Sequence, residues 1–526
     1  WTINGDKHVL LSEMPHKHFV SDYRDGDVSL RINHPENEAN HVVCDVGMAT
    51  AAAVHRLKPG SELQVGVMIP LDTAEASVDS NSPPETTGPG RWDRALDSYS
   101  RFSVPRTDFM FLYETAVRSI VLHSPDDVYP GPFTYKRFWF RDAALIINAI
   151  ISIGMLRRAE ELIDRFFSRQ TSGGYFRSQQ GEWDSNGQVL WIMNRFCRCS
   201  GTAPRKHWIR PIIKAARWII KKRLAADPAS PHAGLLPAGF SAEHFGPNDH
   251  YYWDDFWSVA GLSAASEMLK DTEYSSLGDE FRKQAADLMN AIETSLNSCR
   301  KRLGRCAMPA SPYRRLDSGA IGSLAACYPL DIFDPDDERV RDLCDFIIEK
   351  CMNRGAFFHD ISHSGINPYL CLHLAQVLMR MRDIGFAALT DRVAELASPT
   401  GQWPEAINPR TGTGCMGDGQ HIWASAEYVM MMVNSLVYER DTHLILGAGL
   451  FPEWLDNECE ISAGPVHTVW GPIEVRVFSD SSKVTVEWDG RWHSEAPRIE
   501  IQIPGSEPIV AREDSNSIVV HRRGKE

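Results

Sequence analysis

The chain has 526 residues, 43% of them hydrophobic and 24% charged, with a formal net charge of −14 at neutral pH. One hydrophobic core does not fill that length, so two or three domains are expected. The acidic balance argues against a nucleic-acid partner, which needs a basic face, and no uninterrupted apolar run of about 18 residues predicts a membrane span.

Residues 1–105 read as β structure and predict an N-terminal β-sandwich. Val28–Ile32 and Leu63–Ile69 alternate apolar and polar side chains, with Gly, Pro and Asn between the runs. Asp79–Gly90 is a loop by composition. From 106 to 445 the apolar period becomes helical, with stripes over 109–122, 142–153, 155–167, 188–198, 211–224, 256–269, 279–296, 338–351, 368–381, 386–397 and 422–438. A shorter stripe over 318–326 brings the count to about twelve. No repeat of fixed period is visible, which disfavours an open solenoid and leaves a closed double ring of six helix pairs, an (α/α)6 barrel. Beyond Gly447 strict alternation returns in Ile473–Phe478, Lys483–Trp488 and Arg498–Ile503, so 446–526 predicts a small C-terminal β-domain. The expected fold class is therefore mainly α with β domains.

The eleven cysteines are dispersed, with no Cys-x-x-Cys pair and no zinc-type spacing. Such a set fits reduced buried thiols better than a disulfide framework, and a soluble, cytoplasmic protein is expected. No leader is legible from Trp1 onward; periplasmic or secreted placement would need one removed upstream. No metal and no organic cofactor are expected.

Four times a tryptophan stands beside an acid near a helix start: Trp139-Phe-Arg-Asp142, Trp183-Asp184, Trp253-Asp254-Asp255 and Trp403-Pro-Glu405. Carboxylates next to indole faces suit a carbohydrate site, where acids bind hydroxyls or move protons and rings cover sugar faces. Glu405, in a polar turn ahead of Trp423, suits a base that activates water. Asp254 and Asp255 point about 100° apart on a helix, so both reach one pocket only at a helix terminus. Among the rings of Trp253 and Trp257, one of them suits a desolvated general acid. Arg141, Asp142, Trp183 and Asp184 present fixed donors and acceptors to sugar hydroxyls, with Trp139, Trp403 and Trp423 as further ring surfaces. Each motif also has a purely structural explanation: Glu405 as an exposed turn, Asp254 as a helix cap, Arg141-Asp142 as an ion pair, His421 as a satisfied core residue.

In order and spacing these motifs resemble the glucoamylase-type enzymes of glycoside hydrolase family 15 and the wider (α/α)6-barrel glycosidases. Phe138-Trp-Phe-Arg-Asp142 is similar to the family's Trp-x-Arg-Asp helix start, implying that Arg141 and Asp142 bind the terminal sugar. Trp183-Asp184 stands where the family has a second substrate contact, and Trp253-Asp254 where its general-acid segment lies. Leu316-Asp-Ser-Gly-Ala320 and Phe333–Arg339 resemble landmarks of bacterial members. Pro404–Gly412 followed by Trp423-Ala-Ser-Ala426 resembles the element carrying the catalytic base. The chain departs in having an aspartate pair for the acid and Ala406 where glutamine is usual. The resemblance implies an inverting, exo-acting glycoside hydrolase of oligo- or polysaccharides. A phosphorylase or lyase on the same barrel, or a non-catalytic carbohydrate-binding protein, are the alternatives.

Overall fold

In a computed structural model, residues 1–522 are described apart from 6, 27, 33–38, 70–91, 93–94, 97, 228–229, 241–246, 441, 456–457 and 481. The chain divides into two compact units, Trp1–Asp97 and Ser98–Glu526.

The expected sandwich is not what the described residues of the first unit form. They make three separate antiparallel pairings: Thr2–Ile3 with Lys7–His8, Leu10–Leu11 with Val67–Met68, and Lys17–Ser21 with Thr50–Val54. Val28–Leu30 is a 3-10 turn rather than a strand, and 63–69 contributes only Val67–Met68. Alternation marks a segment able to bury one face, but a sheet needs partner strands in register across it. Here Val43, Val46, Met48 and Ile69 stay exposed. Asp79–Gly90 lies outside the described residues.

The second unit holds the helices. They are α1 (Thr107–Leu122), α2 (Phe140–Ser152), α3 (Leu156–Arg165), α4 (Ser185–Ser200), α5 (Lys206–Lys222), α6 (Tyr252–Leu269) and α7 (Ser275–Leu303). A 3-10 helix at Ser318–Ala326 follows, then α8 (Glu338–Lys350), α9 (Pro368–Arg380), α10 (Gly385–Glu395) and α11 (Ile422–Leu436). α2, α4, α6, the 3-10 helix, α9 and α11 each pack on the next, and α11 returns to α2, which closes an inner ring. The other six lie outside it. Inner helices are the more buried: all thirteen residues of α2 are buried. Outer helices carry one apolar stripe, as in α3, where only Ala159, Leu162 and Ile163 are buried. That contrast is what a double-walled barrel demands of its sequence. The helical stripes read from the sequence correspond to these twelve segments.

Beyond the barrel, five antiparallel strands run in the order Ser517–His521, Lys483–Gly490, Gly471–Ser479, Cys459–Thr468 and Arg101–Ser103. The predicted alternation is realised there, with Ile473, Val475, Val477, Val484 and Val486 turned inward. A second sheet joins Val437–Arg440 and His443–Leu446 to Arg498–Ile501 and Ile509–Val510. Arg101–Ser103 and Val437–Arg440 thus belong to sheets completed by the C-terminal segment, across the expected boundaries at 105 and 445. Sheet membership follows long-range pairing, which local composition does not reveal. The eleven cysteines are all unpaired, seven of them buried. Among the described residues no helix is long and apolar enough to cross a membrane.

The tightest crossing in the inner ring is between α4 and α6. A Cβ on Gly187 would lie 2.2 Å from the Trp257 carbonyl oxygen, and one on Gly261 would lie 2.6 Å from the Gly187 Cα. Backbone meets backbone there, so no side chain can give way. Gly187→Ala is expected to destabilise the protein by about 2 kcal/mol or more through overpacking. Urea unfolding measures it, and an unchanged midpoint would contradict this account of the ring.

Candidate active site

A cavity of about 150 Å³ opens where the N-terminal ends of the inner helices meet. Its walls come from the starts of α2, α4, α9 and α11 and from the loops before them. Trp139 caps α2, and Arg141 and Asp142 occupy its first turn, where a helix favours an acid. Glu182 lies just ahead of α4, Tyr369 begins α9, and His421 and Trp423 begin α11.

Glu405 reaches the cavity by a different route. Five short antiparallel strands, including Ala356–His359, Gly365–Ile366, Ala406–Ile407 and Gly414–Met416, form a small sheet at this end. The sheet sets the His359–Gly365 turn beside Glu405, and the Asn367 amide donates to the Glu405 carbonyl at 3.1 Å. His363 Nδ1 lies 2.9 Å from Glu405 Oε1, and the Tyr135 hydroxyl donates to Oε2. Tyr135 is itself held in place: Asp418 accepts the backbone N–H groups of Phe133, Thr134 and Tyr135. Glu405 is 6% exposed. Burial pushes its carboxyl up, but the hydrogen bond from His363, the nearby imidazoles and Tyr135 outweigh it and hold the group below its ordinary value.

Asp142 is held the opposite way. Burial raises its pKa to about 7 against the pull of Arg141, and the charges of Glu405 and Glu182 push in the same direction as burial. Glu182 is also raised, chiefly by burial. It accepts from Arg141 Nη2 at 3.1 Å and from the Gln179 amide at 3.1 Å. His421 Nε2 lies 4.0 Å from Asp142 Oδ1, and burial lowers the His421 pKa to about 4, so its ring is neutral at ordinary pH. Ring faces complete the site: Trp139 against Tyr135 at 5.7 Å, and Tyr369 against Trp423 at 4.6 Å. Among the described residues no cluster of three or more His, Cys, Asp or Glu side chains is arranged to hold a metal ion.

Of the residues singled out from the sequence, Trp139, Arg141, Asp142, Glu405 and Trp423 line this cavity. Asp184, Trp183, Trp253, Trp257, Trp403, Asp254 and Asp255 do not. Asp184 lies behind it, its Oδ2 accepting from Arg141 at 2.7 Å, the Trp253 indole at 2.8 Å and Gln188 at 2.9 Å. Trp183 is packed on Tyr175 and Trp218, with the Lys222 ammonium 3.8 Å from its ring centre. Trp403 donates to the Val393 carbonyl, and Trp257 stacks edge-on between Trp191 and Trp253. Asp254 and Asp255 are fully buried. Asp255 Oδ1 accepts the Leu236 N–H at 2.9 Å, and burial raises its pKa to about 8. Both aspartates stand in the first turn of α6, buried and outside the lining of the cavity.

Tyr135, Gln179, Glu182, His363, Tyr369 and Asp418 were missed in the sequence. Glu182 alone carried a signal, since it flanks Trp183 as closely as Asp184 does. His421 was read as core and instead faces the cavity.

The raised Asp142 pKa has a consequence for stability. An aspartate that titrates higher when folded weakens folding as pH rises from about 4 through 7, because the folded state then holds a proton the unfolded chain has released. Asp142→Asn removes that penalty. It is expected to gain stability over wild type above pH 7, on the order of 4 kcal/mol, with the difference vanishing near pH 4. Urea unfolding at several pH values measures it, and a pH-independent difference would contradict the assignment.

Neither a family model nor a curated protein matches the chain. Solved structures do. A bacterial glucoamylase complexed with acarbose superposes with a TM-score of 0.55 at 12% identity, over 82% of this chain and 71% of the other. The α-L-rhamnosidase from Aspergillus terreus gives 0.54 at 12% identity, over 90% and 56%. That from Dictyoglumus thermophilum gives 0.50 at 11% identity, over 86% and 49%. The chain spans about half the length of each rhamnosidase. At such identities the likeness is one of fold, and this chain shares the barrel of these glycosidases.

Proposed function

We propose that the chain is a glycoside hydrolase that removes terminal sugar units with inversion. The observation that carries this reading is the opposite protonation bias of two carboxyls in one aromatic cavity: Glu405 ionised, Asp142 protonated near neutrality. Pairs pushed apart in this way divide acid and base roles. Glu405 takes a proton from water, whose oxygen attacks the anomeric carbon. Asp142 gives its proton to the departing glycosidic oxygen. Trp139 and Trp423 cover the faces of the sugar, and Arg141, through Glu182, fixes the carboxyls around its hydroxyls. A cavity of about 150 Å³ is small beside the roughly 300–1,000 Å³ of most ligand clefts, which suits one terminal ring rather than a chain laid across. The shared barrel of a glucoamylase bound to acarbose and of two rhamnosidases supports the substrate class.

Asp254 and Asp255, the general acid expected from the sequence, are buried and do not line this cavity, which favours Asp142 in the role. The test is product analysis by NMR across α- and β-linked oligosaccharides. An inverted anomer is expected, and Glu405→Gln should lower kcat by about a thousandfold. Asp142→Asn should do the same on natural linkages yet spare substrates with acidic aryl leaving groups, which need no proton. If Asp254→Asn shows that pattern and Asp142→Asn does not, the acid is Asp254. A retained anomer would overturn the mechanism.

The pH profile follows from the hydrogen bonds to Glu405. Removing a donor raises the pKa of the base, so it is protonated at higher pH. Tyr135→Phe should therefore move the acidic limb of kcat/KM to higher pH, by about one unit for one lost bond to a charged group. An unmoved limb would remove Glu405 as the base.

A further inference from the structure

The other end of the barrel holds a second and larger cavity. The C-terminal halves of α2, α4, α6, α9 and α11, with the segment after the 3-10 helix, enclose about 720 Å³, well within the range of ligand clefts. Two half-buried indoles, Trp191 from α4 and Trp470 from the turn between two strands of the five-stranded sheet, line it, as do the amides of Asn148, Asn194 and Asn434.

The charges there are unevenly compensated. Three arginines and three acids contribute to the lining. Glu439 is tied to Arg195 in an ion pair, Glu267 lies 3.9 Å from Lys270 on the same helix, and Asp331 is exposed at the rim. Arg198, exposed, and Arg380, 7% exposed, are left without an ion pair among the described residues. The Arg380 guanidinium lies between the rings of Tyr328 and Tyr438, at 4.6 and 4.8 Å, which fixes its orientation. Its Nη1 donates to Gln376 Oε1 at 2.7 Å, and Asn434 donates to the same oxygen at 3.0 Å. The buried Arg380 Nε has no acceptor among the described residues. Glu427, the carboxyl whose hydroxyl partner Tyr328 stacks on Arg380, titrates at about 7 through burial and is a weak counter-charge. A buried, oriented guanidinium lacking an acid is costly unless an anion completes it, and guanidinium is well matched to carboxylate and phosphate.

We propose that this far cavity binds an acidic sugar, with its carboxylate or phosphate on Arg380 and Arg198 and its ring faces against Trp191 and Trp470. The anion supplies the counter-charge that the two guanidiniums lack, and the indoles supply the apolar faces a saccharide needs. Such a site is separate from the hydrolytic one, since Glu405 and Asp142 sit at the opposite helix ends. Substitutions in one cavity therefore leave binding in the other intact.

Calorimetric titration of the full chain carrying Glu405→Gln tests this, with trigalacturonate and glucose 6-phosphate as the two anionic probes. Saturable binding of one of them is expected, and which one binds identifies the acidic group. Arg380→Gln should weaken it about tenfold or more, as should the rim variant Arg198→Ala, whose exposed side chain the fold does not need. Trp470→Ala should weaken it as well. Binding of neither probe overturns the proposal, as does affinity unchanged in Arg198→Ala and Trp470→Ala. Sulfate binding as tightly as both probes reduces the site to a plain anion site, and maltotriose binding equally well removes the anionic requirement; either overturns it too.

Discussion

One buried guanidinium among four buried carboxyls governs the N-terminal end of the barrel. Arg141 joins Asp184 at 2.7 Å and Glu182 at 3.1 Å, and Asp142 and Glu405 lie around the same space. A single cation does not neutralise four acids out of water, so some of them keep their protons. Which ones is decided by hydrogen-bond donors. Glu405 receives two from Tyr135 and His363 and is held low, while Asp142, without a comparable set, is pushed up to about 7. The opposite shifts of the two carboxyls thus arise from a charge excess together with an uneven supply of donors.

The barrel exists to converge these groups. Asp142, Glu182, Tyr369 and His421 come from four inner helices or the turns before them, and Glu405 from beside a small sheet whose strands lie between α8 and α9 and between α10 and α11. The inner ring is packed without slack: Gly187 and Gly261 let the α4 and α6 backbones touch, and a methyl group at either has nowhere to go. Rigidity of that kind holds the carboxyls of the cavity at fixed separations.

The two ends of the barrel differ in the way their helix termini differ. At the N-terminal ends, short loops and the small sheet narrow the opening to about 150 Å³, with acids favoured in the first helical turns. At the C-terminal ends the cavity is wider and carries arginines, the side chains favoured in last turns, with Arg380 closing α9. Between them Glu427 of α11 is hydrogen-bonded to Trp423, which lines one cavity, and to Tyr328, which lines the other.

The sequence by itself determined the twelve helical segments and the alternating strands Gly471–Ser479 and Lys483–Gly490, because burial periodicity is a local property of the chain. It also marked Arg141, Asp142 and Trp423, whose positions at helix starts follow from neighbours in the sequence, and Glu405 in its polar turn. It did not determine which acid beside a tryptophan faces the cavity. Trp253-Asp254-Asp255 and Trp139-Phe-Arg-Asp142 look alike as text, yet the two carboxyls of the first lie outside the cavity lining and the single carboxyl of the second lines it. That outcome depends on how each helix is rotated in the ring, which long-range packing fixes. For the same reason His363 and Tyr135, 42 and 270 residues from Glu405, became its partners only in the tertiary structure.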